Sequence, residues 1–334
     1  MPEELRLGSR GSQLALWQAH TVAARIEAAG GPACRIVVIK TAGDRQQDAP
    51  LSTIGGKRLF VKEIEDALLR HEIDLAVHSS KDMSVVLPGG LAIAGVLPRE
   101  DPRDAIVLPG RLKPDTTDEP RAGVRPLASL DDLVDRLGQS PSIGTGSVRR
   151  IAQLTRLFPG ASFAPIRGNL DTRLRKLDEG GPDALVLAAA GLRRLGFAHR
   201  ISFALPAAAC IPAPGQGIVA IEIRGHDDPV RRAVARIDDP AAAAALAAER
   251  ALVEALGGGC QTPIGALASP VDGDRLELIA VVVALDGSRA VRGHAIAPRS
   301  EAVSLGVRVG AQLLSDGAGD ILAEAAHQQS HDRD

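Results

Sequence analysis

Apolar and polar positions along the first third of the chain switch repeatedly between two periods. Leu5 to Gly8, Arg35 to Thr41 and Asp74 to His78 read as strands, with helical spacing over Ser12 to Ala29 and Phe60 to Arg70 between them. The alternation resumes with strand-like Ser142 to Thr145, a helix near Val148 to Leu157, strand-like Ser162 to Ile166, a helix over Leu170 to Asp178 and the apolar run Ala184 to Ala189. Two α/β units are therefore expected. Residues 110 to 126, rich in Pro, Asp, Thr and Gly and without apolar periodicity, read as a surface loop between them. Beyond Pro212-Ala213-Pro214-Gly215, the apolar run Ile218 to Ile223 could return the chain to the first sheet. From about Asp239 the pattern changes to an alanine-rich helix, then to strands Leu276 to Leu285 and Ala290 to Ala297 around the hairpin signal Asp286-Gly287, then to helical spacing.

Composition narrows the function classes. The 334 residues are about twice a typical domain of roughly 150, so two or three units are expected. Lys plus Arg total 39 against 41 Asp plus Glu, so a polyanion site must come from local clustering, and nucleic acid gains no support. Aromatic residues are 2% of the chain with no tyrosine, which predicts an aliphatic core and removes the stacking platforms of a single-strand binder. Cys34, Cys210 and Cys260 lie far apart without Cys-x-x-Cys spacing, and the histidines lack ligand spacing, so neither a disulfide framework nor a metal is expected. The opening residues lack a signal-peptide pattern and no run approaches about eighteen apolar residues, so a cytoplasmic protein without a membrane segment is expected.

Three constellations carry chemistry. Gly257-Gly258-Gly259-Cys260-Gln261-Thr262-Pro263-Ile264-Gly265 removes side chains just before a thiol, which suits close approach of a bulky group to sulfur. A helix cap followed by an inert buried cysteine is the blander reading, and spacing alone leaves covalent attachment and nucleophilic catalysis both open. His78-Ser79-Ser80-Lys81-Asp82 stands at the carboxyl end of a strand, where open α/β sheets gather ligands; Asp82 could donate a proton or face a developing cation. Taken alone, such a stretch is more often a solvated turn. Arg10, Arg149, Arg150, Arg167, Arg173, Arg193 and Arg194 form the third, several of them at predicted strand-to-helix junctions, and guanidinium forks converging on one site would suit a substrate with many carboxylates. Singly, each is more often a surface ion-pair partner. Gly144-Thr145-Gly146-Ser147 lacks the lysine and spacing of a nucleotide phosphate loop.

In order along the chain, Arg10 with Leu14-Ala15-Leu16-Trp17-Gln18, Gly55-Gly56-Lys57, Phe60-Val61-Lys62-Glu63, His78 to Asp82, Arg99-Glu100-Asp101-Pro102-Arg103-Asp104, Arg167-Gly168-Asn169, Pro214-Gly215-Gln216-Gly217 and Gly258-Gly259-Cys260-Gln261 resemble the hydroxymethylbilane synthase (porphobilinogen deaminase) family. The resemblance implies an α/β fold of two lobes like type II periplasmic binding proteins plus a smaller C-terminal α/β domain. Its divisions would be residues 1–104 with 216–237, residues 105–215, and residues 238–334. It further implies a dipyrromethane cofactor joined to Cys260 through a thioether and retained as a primer. Four porphobilinogen molecules would add to it with loss of ammonia, each through an electron-poor azafulvene, before water releases the linear tetrapyrrole. Asp82 would be the catalytic acid and the counter-ion of the pyrrole nitrogens. Cofactor and substrate binding would fall to Arg10, Ser12, Lys57, Ser79, Lys81, Thr145, Ser147, Arg149, Arg150, Arg167, Arg173, Arg194 and Gln216. Thr53, Met83-Ser84 and Gly146 depart from the family's usual residues, which puts an ionic contact at Thr53 in doubt and loosens the backbone at the other two. A monomer is expected, with porphobilinogen as the small-molecule partner. Two other readings compete: a non-enzymatic two-lobed anion binder, and a cysteine acyltransferase or hydrolase that lacks a nameable histidine partner.

Overall fold

Two five-stranded sheets in this chain repeat one strand order, and a third sheet sits beside both. The computed structural model describes residues 3–45, 61–110, 127–258 and 262–331. The first stretch runs β1 (Glu4–Ser9), α1 (Gln13–Ala28), β2 (Ala33–Val38), α2 (Ala42–Arg45), α3 (Lys62–Leu69), β3 (Leu75–Ser79), a single 3-10 turn Ser80–Asp82, and β4 (Leu91–Val96). The middle runs β5 (Asp104–Val107), α4 (Leu130–Leu137), β6 (Ser142–Gly144), α5 (Val148–Leu157), β7 (Ser162–Ala164), α6 (Leu170–Asp178), β8 (Ala184–Ala188), α7 (Ala189–Arg194) and β9 (Phe203–Ala204). The chain then adds β10 (Val219–Arg224), α8 (Asp228–Ala235), α9 (Pro240–Ala255), β11 (Ile264–Val271), β12 (Arg275–Val283), β13 (Ala290–Pro298), α10 (Ala302–Leu313) and α11 (Gly319–His331).

The first sheet is ordered β2-β1-β3-β10-β4 and the second β7-β6-β8-β5-β9. In each, the fourth strand is antiparallel and comes from the crossover between lobes: β10 returns to pair with β3, and β5 leaves to pair with β8. The return strand expected at Ile218 to Ile223 is thus β10. The expected division between residues 104 and 105 falls inside β5, because Asp104 itself pairs with Ala188 in the second sheet.

Aliphatic side chains fill the layers, as the scarcity of aromatics requires. Leu5, Leu7, Val22, Ile26, Val77, Ile221 and Val234 form one face of the first lobe, while Ile64, Leu68 and Ile73 form the other. In the second lobe Ile143, Leu154, Phe158 and Val186 lie on one face and Leu174, Leu185 and Leu187 on the other. The third unit is the antiparallel meander β11-β12-β13 packed on α9 and α10. It touches both lobes: Met83, Val96 and Ile218 pack with Ala242 and Leu246 of α9, and Ala152 and Ile211 pack with Leu267 and Val281. Strand β11 escapes the sequence pattern because Gly265 and Pro270 interrupt it; as an edge strand it tolerates a proline that cannot donate.

Candidate active site

Elements of the first lobe deliver one set of polar groups. Strand β3 ends at Ser79, and the 3-10 turn that follows presents Lys81 and Asp82, both half-buried. Among the described residues no hydrogen bond or ion pair is formed with the Asp82 carboxylate. Ser79 Oγ accepts from Gln18 Nε2 at 2.9 Å, so that hydroxyl is tied to α1. Ser12 caps α1, its Oγ accepting from the Ala15 amide at 3.3 Å. Arg10 follows β1 at the same edge and is half-buried.

The second lobe supplies cations. Thr145 and Ser147 lie between β6 and α5; Thr145 is buried and its Oγ1 accepts from the Ser147 amide at 3.3 Å. Arg149 and Arg150, in the first turn of α5, both reach fully buried Asp104, at 2.7 Å each. Burial alone would raise the Asp104 pKa, but the two guanidinium charges hold its carboxyl far below the usual carboxylate range. Arg149 Nη1 also donates to Ile211 O at 2.7 Å, while its Nε is buried without a partner. Arg173 of α6 donates from Nε to Gly168 O at 2.8 Å. Burial chiefly, with repulsion from Arg150 and Arg167, lowers the Arg173 pKa against the attraction of Asp82. Arg173 therefore lies within electrostatic reach of Arg150, Arg167 and the acid of the opposite lobe. Arg194 belongs elsewhere: its Nη2 donates to Gly217 O at 2.6 Å and its guanidinium lies 5.6 Å from the Trp17 ring centroid.

The crossovers lock the lobes to the third unit. Gln216 is fully buried; Nε2 donates to Pro102 O at 2.6 Å and Asp104 Oδ1 at 2.9 Å, and Oε1 accepts from Lys81 Nζ at 3.3 Å. Its neighbours Gly215 and Gly217 have φ of 74° and 88°, and a Cβ on Gly217 would come within 2.3 Å of Glu100 O. Buried Glu249 of α9 accepts from Arg99 on one crossover and from the Gly215 amide on the other. Arg250 of the same helix donates to Val85 O, three residues beyond Asp82. Helix α9 ends in a Schellman arrangement: Gly258 N–H reaches Val253 O, Gly257 N–H reaches Glu254 O, and Gly257 has φ 62°. Two of the three glycines before Cys260 are thereby accounted for as helix termination.

The structure separates the expected ligand set. Arg173 lies within electrostatic reach of Asp82 and of Arg167, whereas Arg149, Arg150 and Gln216 are hydrogen-bonded to Asp104. Lys57, Thr53, Gly55-Gly56 and Cys260, and positions 111–126 of the expected loop, lie outside the described residues. No local pattern in the sequence marks Asp104, Arg99 or Glu249 for the roles they take here. Asp104 and Arg99 stand in the Arg99 to Asp104 motif, but their partners are far away in sequence.

Fold and site define a two-lobed α/β protein in which a carboxylate at a strand end of one lobe lies within electrostatic reach of an arginine cluster on the other. A family model described as "Porphobilinogen deaminase, dipyromethane cofactor binding domain" matches residues 5–232, and one described as "Porphobilinogen deaminase, C-terminal domain" matches residues 243–315. The chain is 44% identical over 329 residues to the porphobilinogen deaminase of Geobacter metallireducens, covering 98% of this chain and 96% of the relative. It is 44% identical over 321 residues to that of Syntrophobacter fumaroxidans, covering 96% of this chain and 97% of the relative. The chain belongs to the porphobilinogen deaminase family, the hydroxymethylbilane synthases, which are transferases of tetrapyrrole biosynthesis with a dipyrromethane cofactor. Among solved structures, the VFT2 domain of Bordetella pertussis BvgS aligns over 70% of this chain and 86% of its own at TM-score 0.37 and 15% identity, too distant to add to the architecture above. Among the described residues no helix is long and apolar enough to cross a membrane.

Cys210 lies inside the first matched span, but it is fully buried and its Sγ donates to Asp104 Oδ2 at 3.5 Å. Burial first, then the Asp104 charge, pushes its thiol up to about 12. Burial likewise pushes Cys34, on β2, up to about 11. Neither thiol has the electropositive, accessible setting that favours thiolate chemistry.

Proposed function

We propose that the chain makes hydroxymethylbilane from porphobilinogen with Asp82 as its acid, the second-lobe arginines as its carboxylate binders and Cys260 as the cofactor anchor. One observation carries this reading: Arg173, half-buried and held by Gly168 O without a carboxylate hydrogen bond, stands within electrostatic reach of Arg150, Arg167 and Asp82. A cluster with cations in excess suits pyrrole rings that each bear an acetate and a propionate. The partnerless Nε of Arg149 adds a donor inside the same wall. These residues fit a dipyrromethane: Arg167 and Arg173 would hold its acidic side chains, and Arg149 and Arg150 would back them. When bound, the cofactor supplies the free pyrrole α-carbon to which substrate is joined.

Asp82 would hold a proton at a carboxylate oxygen and give it to the departing amine of porphobilinogen. Ionised again, it would face the positive charge on the pyrrole nitrogen. Lys81, tied to Gln216, would keep the turn carrying Asp82 in register. Cys260 is favoured as anchor because the two described thiols have raised pKa values, and because Glu249 and Arg250 bolt α9, which leads to Cys260, onto the crossovers and the segment after Asp82. The lobes and third unit support a division near 1–103 with 216–237, 104–215, and 238–334. A cytoplasmic monomer completes the reading.

Intact-protein mass during incubation with porphobilinogen tests it. The reading expects a ladder of added pyrrole units with ammonia released, and no ladder extension in Asp82→Ala. Tight reversible uptake of an anion without ammonia would instead identify a binding protein and overturn the reading.

A further inference from the structure

Asp104 joins groups from both lobes that the family resemblance treats as separate ligands. Its fully buried carboxylate accepts from Arg149 Nη1 at Oδ2, 2.7 Å away. Oδ1 accepts from Arg150 Nη2 at 2.7 Å, Arg150 Nε at 3.0 Å and Gln216 Nε2 at 2.9 Å. Gln216 passes the connection on to Lys81 Nζ, and Lys81 precedes Asp82. A continuous chain of hydrogen bonds therefore runs from the arginine wall, through the crossover, to the turn that carries the acid. Burying a carboxylate between two guanidiniums is a costly way to hold a lobe together, and well-packed apolar residues often serve as well. What the ionic arrangement provides and an apolar one does not is direction. Arg150 donates two N–H groups to one oxygen and a third, at 2.8 Å, to Val186 O, which leaves its guanidinium plane no freedom to turn.

We propose that Asp104 is a positioning residue for the condensation: it fixes the guanidinium planes of Arg149 and Arg150 and, through Gln216, sets their register against the turn that carries Asp82. This deepens the active-site reading above and rests on it. Asp104 touches no reacting atom. Its effect passes through Gln216 and Lys81 to the turn of Asp82 and through Arg149 and Arg150 to the ring-binding arginines, and a displacement of about 1 Å in a reacting group costs on the order of 100-fold in rate.

The test compares cofactor-loaded wild type, Gln216→Leu, Asp104→Asn and Asp82→Ala, each assayed per loaded site. Gln216→Leu cuts the link to Lys81 while leaving both arginine ion pairs. It is expected to fold and load, to lose roughly 10- to 100-fold in kcat with KM changed less than about threefold, and to pile up one elongation species in the intact-mass spectrum. Asp104→Asn is expected to show the same pile-up with a larger loss; if it does not fold, Gln216→Leu decides alone. Folded, loaded Gln216→Leu with wild-type kcat and a wild-type spread of elongation species overturns the proposal and leaves the active-site reading standing. Continued turnover by Asp82→Ala overturns the active-site reading itself, and this proposal with it.

Discussion

The two lobes share a strand order yet differ in the charges at the ends of those strands: the first sets Asp82 among Arg10 and Lys81, while the second gathers arginines. Each sheet receives its antiparallel strand from the crossover, and each of those strands carries a fully buried acid: Glu222 on β10 and Asp104 on β5. In the first lobe Glu222 is met by His78 Nε2 at 3.0 Å. In the second, Asp104 is met by two arginines. The first lobe thus meets its inserted acid with one imidazole at Oε2, leaves Glu222 Oε1 buried without a hydrogen bond among the described residues, and leaves Asp82 beyond the strand end without an ion pair among them. The second satisfies its acid with guanidiniums and keeps more of them, Arg167 and Arg173, in the same neighbourhood. Topology fixes where a strand end lies; the sequence of each lobe decides which charge stands there.

Several substitutions probe that division of labour. The largest effect is expected for Asp82→Ala, which removes the first lobe's acid: turnover, followed as ammonia release, should fall by at least about 100-fold with the unfolding midpoint unchanged. Retained turnover would mean that the first lobe does not supply the acid. Next, Arg150→Gln leaves Asp104 with one guanidinium instead of two, and denaturant unfolding should show a loss of about 3 kcal/mol. Because the folded carboxyl is held well below its ordinary value, this contribution is complete at neutral pH, above the unfolded pKa, and is lost as pH falls through the folded pKa. Arg167→Gln should do the reverse, slowing elongation while leaving stability within about 0.5 kcal/mol. If both arginine variants lost only stability, the second lobe would hold no substrate-binding cations.

Smaller effects sharpen the picture at the thiols and at the latch between lobes. Burial and the Asp104 charge push the Cys210 thiol up to about 12 and keep it protonated near neutral pH, and it is inaccessible as well, so native protein should not be alkylated there. Rapid labelling of Cys210 would show that the second lobe opens. Arg194→Ala removes a cation–π contact worth about 0.5–1 kcal/mol and should alter the fluorescence of Trp17, the one tryptophan of the chain. An unchanged spectrum would remove that contact from the account of the lobe interface.

Much of this is legible in the amino-acid sequence. Strand ends at Gly8, His78 and Thr145, the alanine-rich helix and the Asp286-Gly287 hairpin follow from local periodicity. So does the placement of Asp82 beyond β3. Strand β5 was hidden because it has four residues, all buried, and opens with an aspartate, so no alternation marks it. The hub at Asp104 was hidden for another reason. Its bond to Gln216 spans 112 positions and the Arg99–Glu249 bridge spans 150, separations that leave no local trace. Arg149 and Arg150 were recognisable as cations by residue type, but only their geometry reveals that both are tied to a buried acid.

The central claim is that this fold presents a cofactor from Cys260 to an acid on one lobe and cations on the other. Peptide-level mass spectrometry of the active holoenzyme tests it most directly. The account predicts a dipyrromethane on the peptide containing Cys260 and unmodified Cys34 and Cys210. An active protein whose Cys260 is unmodified, or whose dipyrromethane maps to Cys210, would contradict it.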